Sequence, residues 1–245
     1  MALKRHEIFR DEHTIGVASH TLSAVIHESL VDLGYDCLVS SVLFNEDGEN
    51  SILYYRCMRA KPSRVDIDEV ERFVERYYGV HLEIREDESH PMLLDNHEHL
   101  RLARGIFRLV TNKLKPLLSS NVEHLLLLWW NGNAVIMPGS ERNVVFPSKR
   151  YTATAHTHPS GLCIPSPHDL DSFRDILAEG GCCTVILSPT CMFMLGRRDA
   201  LSLEDYDALS QLARIINKTS LEEALRMLSE LSMRSMTLIV ELRSL

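Results

Sequence analysis

An acidic stretch in the middle of the chain, Arg85–Asn96, separates two segments in which helix and strand patterns alternate. The stretch contains His90-Pro91, and proline disfavours the helical conformation in the residue before it, so the stretch is typical of a linker. At 245 residues the chain is long enough for two modest domains. The sequence therefore predicts an α/β or α+β architecture in two parts.

The first part, residues 1–90, predicts a small α+β domain whose role the sequence does not indicate. Its patterns predict, in chain order, a helix, a β-hairpin, a second helix and a strand: Leu22–Leu33, Cys37–Phe44 with Ser51–Met58, Val65–Tyr78 and Val80–Ile84. A short strand near Thr14–Val17 would complete a β-α-β-β-α-β order, which is ferredoxin-like.

The second part, residues 95–200, predicts a β-sheet flanked by helices. Its predicted strands are Leu125–Trp130, Ala134–Met137, Asn143–Phe146, Tyr151–Thr157, Thr184–Leu187 and Met192–Leu195. Its predicted helices are Leu100–Leu114 and Pro167–Ala178. Residues 201–245 predict a helical extension with a closing strand: Leu203–Asn217, Leu221–Leu231 and Thr237–Leu242.

Charge and hydropathy argue against two classes of partner. Lys and Arg number 26 against 34 Asp and Glu, a formal net charge of -8, so no overall positive field attracts nucleic acid. The most apolar run, Leu125–Trp130, is far shorter than the roughly 20 residues that cross a bilayer, and Met1–Arg10 is too charged for a signal peptide. We therefore expect a cytoplasmic protein, with no nucleic acid and no membrane as partners.

The cysteines form no C-x-x-C pair, which argues against a zinc ribbon and a thioredoxin-like redox site. Six are present: Cys37, Cys57, Cys163, Cys182, Cys183 and Cys191. Because an intracellular chain keeps its thiols reduced by default, we expect most of the six to be buried thiols. For Cys163 a redox-sensitive role or a role as substitute metal ligand is a further alternative.

One segment carries side chains suited to a metal site. His156 and His158 end a predicted strand, and because strand side chains alternate, both imidazoles can point to one side. Ser166 and Pro167 then start a helix as cap and first residue, with Asp169 in its first turn. The Asp169 carboxylate can supply a third ligand. A His-His-Asp set suits zinc and leaves one position open, as in hydrolases.

The same string resembles a known family signature. His156-Thr-His158-Pro159, then six residues, then Ser166-x-x-Asp169, is similar to the signature of the JAMM (MPN) zinc metalloproteases, and every signature position is filled. The resemblance covers residues 95–200 and implies an MPN-like fold, a sheet flanked by helices as an α/β sandwich. It also implies a Zn²⁺ ion held by His156, His158 and Asp169.

The resemblance implies two catalytic residues as well. An upstream glutamate after a helix and before a strand is expected as general base, and Glu123 has that context, 33 residues before His156. This spacing is shorter than in the family and would need trimmed connections. Glu98, within the helix, and Glu141, in a turn-like segment, are the alternatives. Ser166 would donate a hydrogen bond to the developing oxyanion.

The family's usual activity gives the functional expectation, a zinc peptidase or isopeptidase that cleaves ubiquitin-like modifier conjugates or precursors, with a ubiquitin-like protein as partner. A homo-oligomer or larger complex is compatible with it. The alternatives are a non-catalytic MPN scaffold in a protein complex, or a zinc amidase acting on a small molecule or on a sulfur-carrier tail.

Each part of the motif also has an ordinary interpretation. Ser166-x-x-Asp169 alone would indicate only a helix start, and a lone His-x-His is more often a surface or structural pair. Only the complete string favours a metal site. The pair in His97-Glu98-His99 is different, because residues two apart on a helix do not share a face, so we predict a solvated helix start there.

Overall fold

The computed structural model describes residues 7–46, 50–89, 97–139, 151–159, 161–235 and 237–245, and for Glu7 and residues 97–104 it describes the backbone only. Its helices are α1 (Glu12–Asp32), α2 (Arg64–Tyr78), α3 (His97–Leu114), α4 (Pro167–Ala178), α5 (Leu203–Ile215) and α6 (Leu221–Arg234). Its strands are β1 (Glu7–Phe9), β2 (Cys37–Val39), β3 (Leu43–Phe44), β4 (Asn50–Cys57), β5 (His81–Glu86), β6 (His124–Leu128), β7 (Ala134–Pro138), β8 (Ala153–Thr157), β9 (Cys183–Leu187), β10 (Cys191–Arg197) and β11 (Leu238–Ser244). The predicted strand Asn143–Phe146 and Glu141 lie outside the described residues.

Seven of these strands form a large mixed sheet in the order β1-β7-β6-β8-β9-β10-β11. Helices cover both of its faces, because side chains alternate along each strand. On β10, Met192 and Met194 pack with α3, whereas Phe193 and Leu195 pack with α4, α5 and α6. The predicted α+β class, as a sandwich of helices and sheet, is confirmed.

The remaining strands form a smaller sheet around β4, which pairs antiparallel with β2 and β3 and parallel with β5. The predicted hairpin is therefore present, with its first strand broken into two pieces. Apolar residues of α1 and α2 pack on this sheet, including Leu22, Ile26 and Val74, each fully buried. Gly79 ends α2 in the left-handed conformation, at φ 68°, which glycine adopts without strain.

The β-α-β-β-α-β order predicted for the first part is present, with β1 in place of residues 14–17 as its first strand, but the strands do not form a ferredoxin-like sheet. Residues 14–17 form no strand but lie in the first turns of α1, which a capping box between Asp11 and Thr14 closes. The strand that precedes α1 is β1, and it pairs antiparallel with β7 of the large sheet. Sequence before the linker thus contributes to both sheets, and α1 packs against α3 through Val17.

The closing strand of the chain completes the large sheet. Strand β11 pairs antiparallel with β10 along its whole length, from Leu238 opposite Arg197 to Ser244 opposite Cys191. None of the helices in the described ranges combines the length and the apolar character needed to cross a lipid bilayer.

The expectation that most of the cysteines are buried thiols is wrong, because four of the six form disulfides. Cys37 and Cys57, direct partners across β2 and β4, form a disulfide. Cys163 and Cys191, with Cα atoms 5.7 Å apart, form another. This separation lies in the usual range for a disulfide, and sequence alone does not specify such pairings. Cys182 and Cys183 are buried free thiols, as predicted.

Candidate metal centre

The predicted metal ligands lie where β8 ends and α4 begins. Strand β8 runs parallel to β9. The hydrogen bonding to β9 extends one residue past the end of β8, where the His158 N–H donates to the Leu187 carbonyl. This keeps the chain extended through His158, so that His156 and His158 share one face of the sheet. Helix α4 begins beside them, with Ser166 as N-cap and Pro167 in its first turn.

The structure brings His156, His158 and Asp169 together. The two Nε2 atoms are 3.0 Å apart, Asp169 Oδ1 lies 3.3 Å from His156 Nε2, and Asp169 Oδ2 lies 3.8 Å from His158 Nε2. The side chains are largely sheltered, with 4%, 16% and 14% exposure respectively. In the described part of the chain, these three residues are the group whose donor atoms could hold a metal ion.

Two of the three separations match those between ligand atoms of a tetrahedral metal site. Nitrogen and oxygen ligands lie about 2.0–2.2 Å from zinc, which places neighbouring ligand atoms roughly 3.3 Å apart. The Nε2–Nε2 and Nε2–Oδ1 distances, 3.0 and 3.3 Å, are near that value. Two unprotonated ring nitrogens this close repel one another, so the pair requires either a shared proton or a cation between them.

A backbone carbonyl fixes the His158 ring. His158 Nδ1 lies 3.0 Å from the Leu162 carbonyl oxygen, which can only accept, so the ring proton is on Nδ1 and the Nε2 lone pair faces Asp169. Such outer partners orient histidine ligands in metal sites. Burial and the charge of His156 lower the pKa of His158, against the opposing effects of the Leu162 carbonyl, Asp169 and Glu123. A neutral imidazole, the form that binds metal, is thereby favoured.

The helix start holds Asp169 as a carboxylate. Its Oδ2 accepts the Ser166 N–H at 2.7 Å, and its own N–H donates to Ser166 Oγ at 3.1 Å, which forms a capping box. Burial would raise the pKa of the Asp169 carboxyl, but the hydrogen bond and charge of His156 and the hydrogen bonds from Ser166 outweigh it, so the pKa falls well below its usual range. The charged form is the ligand form.

Glu123 directly precedes β6, the strand next to β8 in the large sheet. Leu125 is opposite His156 in the antiparallel ladder, and Glu123, two residues before Leu125, is on the same face of its chain segment. The negative charge of Glu123 accordingly contributes to the pKa of His158 by raising it. The Glu123 carbonyl accepts the Gly139 N–H at 2.7 Å, which ties its backbone to the end of β7. The side chain of Glu98, the alternative base, lies outside the described residues.

Cys163 lies in the loop between the histidines and Asp169 and is fully buried. Its disulfide with Cys191 tethers this loop to the start of β10. Because its sulfur is bonded to another sulfur, the arrangement offers no thiolate for a metal, and the alternative of Cys163 as a substitute ligand has no support in this structure.

Two contributors escaped sequence reasoning. The Leu162 carbonyl acts through backbone, for which no side-chain pattern exists. The Thr157 hydroxyl lies between two candidate ligands in the sequence, a position from which it can form a hydrogen bond, but the sequence does not indicate its partner.

Comparisons with protein-family models, with curated proteins and with solved structures find no match to this chain. The resemblance to the JAMM family therefore rests on the residues of the motif, and what it implies about activity stays a prediction.

Proposed function

We propose that this protein is a zinc-dependent peptidase or isopeptidase. One observation carries the proposal: His156, His158 and Asp169 converge at a strand-to-helix junction, with Glu123 directly before the adjacent strand β6 and its charge acting on His158. Three ligands and a nearby base are the minimum set for metal-assisted hydrolysis.

Each residue would have a distinct task. Zinc held by His156, His158 and Asp169 would act as a Lewis acid on the scissile carbonyl and lower the pKa of water to about 7. Glu123 would accept the proton of the attacking water and deliver it to the leaving amine, acting as general base and then general acid. The Ser166 hydroxyl would donate a hydrogen bond to the developing oxyanion.

The proposed substrates are ubiquitin-like modifiers in conjugates or precursors, on the strength of the motif resemblance alone. An amide of a small molecule or of a sulfur-carrier tail needs the same site chemistry. The two substrate classes are therefore distinguished by the rates at which the protein hydrolyses two probes: isopeptide-linked di-ubiquitin and a short peptide amide. Cleavage of only the peptide amide would keep the hydrolase and reject the modifier.

The metal is tested first, by elemental analysis of protein loaded with zinc and then dialysed. We expect one zinc ion per chain in the wild type and none in His156→Ala or Asp169→Ala. His168→Ala is the matched control, because this exposed histidine is next to Asp169 in the same helical turn and should leave the zinc content unchanged. Equal zinc in all four proteins would refute the site.

The base is tested by Glu123→Gln, which keeps the shape of the side chain and removes its basicity. We expect the zinc content of the wild type and a fall in kcat of roughly 10²–10⁴-fold. Unchanged kcat would show that Glu123 is not the base. Bound zinc without hydrolysis of either probe by the wild type would favour the non-catalytic scaffold.

A further inference from the structure

The ladder between β6 and β8 ends in an unusual bond. Beyond the pair Leu125 and His156, the His124 N–H does not continue the backbone pattern but donates to Thr157 Oγ1 at 2.8 Å. Thr157 is fully buried and His124 is 7% exposed, so this bond lies away from water. A buried amide that loses its acceptor is destabilised, and the chain around it is then free to shift.

This bond connects the two halves of the candidate site. Thr157 is the residue between His156 and His158, while His124 follows Glu123 directly. On its other side β8 is held by ordinary backbone bonds to β9, including the bond from the His158 N–H to the Leu187 carbonyl, 2.8 Å long. The Thr157 hydroxyl therefore adds a side-chain link between the strand of the ligands and the start of β6.

We infer that Thr157 is a positioning residue that holds the Glu123 backbone in register with His158. The inference rests on the proposed function, because that function gives Glu123 its role as base. The hydrogen bond between His124 and Thr157 is present whether or not Glu123 is a base. Thr157 makes no contact with substrate or metal in this view. It acts through the backbone of His124, and a displacement of the base by about 1 Å is enough to lower a rate by up to roughly 10²-fold.

The test compares three substitutions on β8. Thr157→Val keeps the branched shape and removes the hydroxyl, whereas Thr157→Ser keeps the hydroxyl and removes the methyl group. Thr154→Val is the matched control, because Thr154 is buried on the same strand and its hydroxyl has no partner among the described residues. Each protein is measured for zinc content, kcat and KM on the better probe.

For Thr157→Val we expect a fall in kcat of roughly 10- to 100-fold with KM and zinc content unchanged. Thr157→Ser should recover most of the rate, and Thr154→Val should retain all of it. Wild-type kcat in Thr157→Val, or equal loss in Thr157→Ser, would overturn the inference, since the hydroxyl would then not matter.

A second readout separates this inference from the proposed function. Amide hydrogen exchange at His124 should be slow in the wild type and in Thr157→Ser and become fast in Thr157→Val, whether or not the protein hydrolyses any substrate. Slow exchange at His124 in Thr157→Val would refute the inference, whereas absence of hydrolysis by the wild type would refute only the peptidase.

Discussion

Ser166 illustrates how one residue serves both the fold and the candidate site. Its Oγ accepts the Asp169 N–H at 3.1 Å, as an N-cap does. A hydroxyl group has one proton to donate besides the lone pairs with which it accepts. The Ser166 side chain also hydrogen-bonds the Asp169 carboxylate and lowers its pKa, so the proposed hydrogen bond to an oxyanion would redirect the Ser166 hydroxyl away from Asp169.

Replacement of this serine separates the two roles. We expect Ser166→Ala to lower the free energy of unfolding by about 1 kcal/mol through loss of the cap, and to lower kcat by roughly 10²–10³-fold through loss of the donor. Ser202→Ala is the control, since Ser202 caps α5 in the same way, accepting the Asp205 N–H at 3.1 Å. Denaturation and kinetics should show similar destabilisation in both variants and a rate defect in Ser166→Ala alone.

At this scale the sequence predicts side chains better than backbone. The convergence of His156, His158 and Asp169 could be predicted because strand alternation and a helix cap are local rules. The approach of Glu123 required the context of its strand, and the structure supplies the pairing of β6 with β8 that brings the charge of Glu123 close enough to act on His158. The Leu162 carbonyl and the partner of Thr157 could not be predicted, since they depend on where a loop and a distant strand come to lie.

Among the elements, α4 was predicted with the bounds the structure has, Pro167–Ala178, because a cap and a proline mark its start. The prediction of a strand at residues 14–17 is wrong because Asp11 and Thr14 form a capping box, a helix signal that starts α1 before these residues. The ferredoxin-like pairing is wrong for another reason. Nothing local in β1 indicates that its partner is β7, more than a hundred residues later.

The Cys163–Cys191 disulfide allows a test of what stabilises the loop between β8 and α4, which contains Cys163. The chain-entropy model assigns roughly 3–4 kcal/mol to loops of the size closed here, since Cys163 and Cys191 are separated by 28 positions in the sequence and Cys37 and Cys57 by 20. We expect paired cysteine-to-serine replacement at either disulfide to cost a similar free energy of unfolding, measured by urea denaturation.

Zinc affinity should distinguish the two disulfides. Only the Cys163–Cys191 bond tethers the loop that contains Leu162 and leads to Asp169, so its loss should weaken zinc binding in a chelator competition, and loss of Cys37–Cys57 should not. If both replacements leave zinc affinity as in the wild type, the tether has no part in holding the ligands.

At the scale of the whole molecule, an ion pair joins helix α1 to strand β10 of the large sheet. Arg197 on β10, 5% exposed, donates to both carboxylate oxygens of Glu28 on α1 at 2.9 and 3.1 Å. It also donates to the Gly180 and Gly181 carbonyls at 2.9 and 3.1 Å, in the turn between α4 and β9. The guanidinium thus fastens α1 to the large sheet.

Removal of this arginine should destabilise the protein in a pH-dependent way. We expect Arg197→Ala to lower the free energy of unfolding by roughly 3 kcal/mol near neutral pH, because Glu28 is left sheltered without its partner. Burial raises the pKa of Glu28, while Arg197 lowers it. Without Arg197 the folded pKa rises further above the unfolded value, so the folded state binds a proton that the unfolded state releases, and stability falls as pH rises.

The measurement is urea denaturation of the wild type and of Arg197→Ala at pH 5 and pH 8. The difference between the two proteins should be larger at pH 8. An equal difference at both pH values would indicate that the carbonyl bonds, rather than the charge on Glu28, account for the loss.

The strand order has a mechanical consequence. With β1 at one edge of the large sheet and β11 at the opposite edge, tension applied across the sheet between them loads every strand pairing in series. The contact of β1 with β7 spans three residue pairs, and that of β11 with β10 spans seven. Under such tension β1 would separate from β7 first. Strand β8, in the middle of the sheet, would then still be paired with β6 and β9.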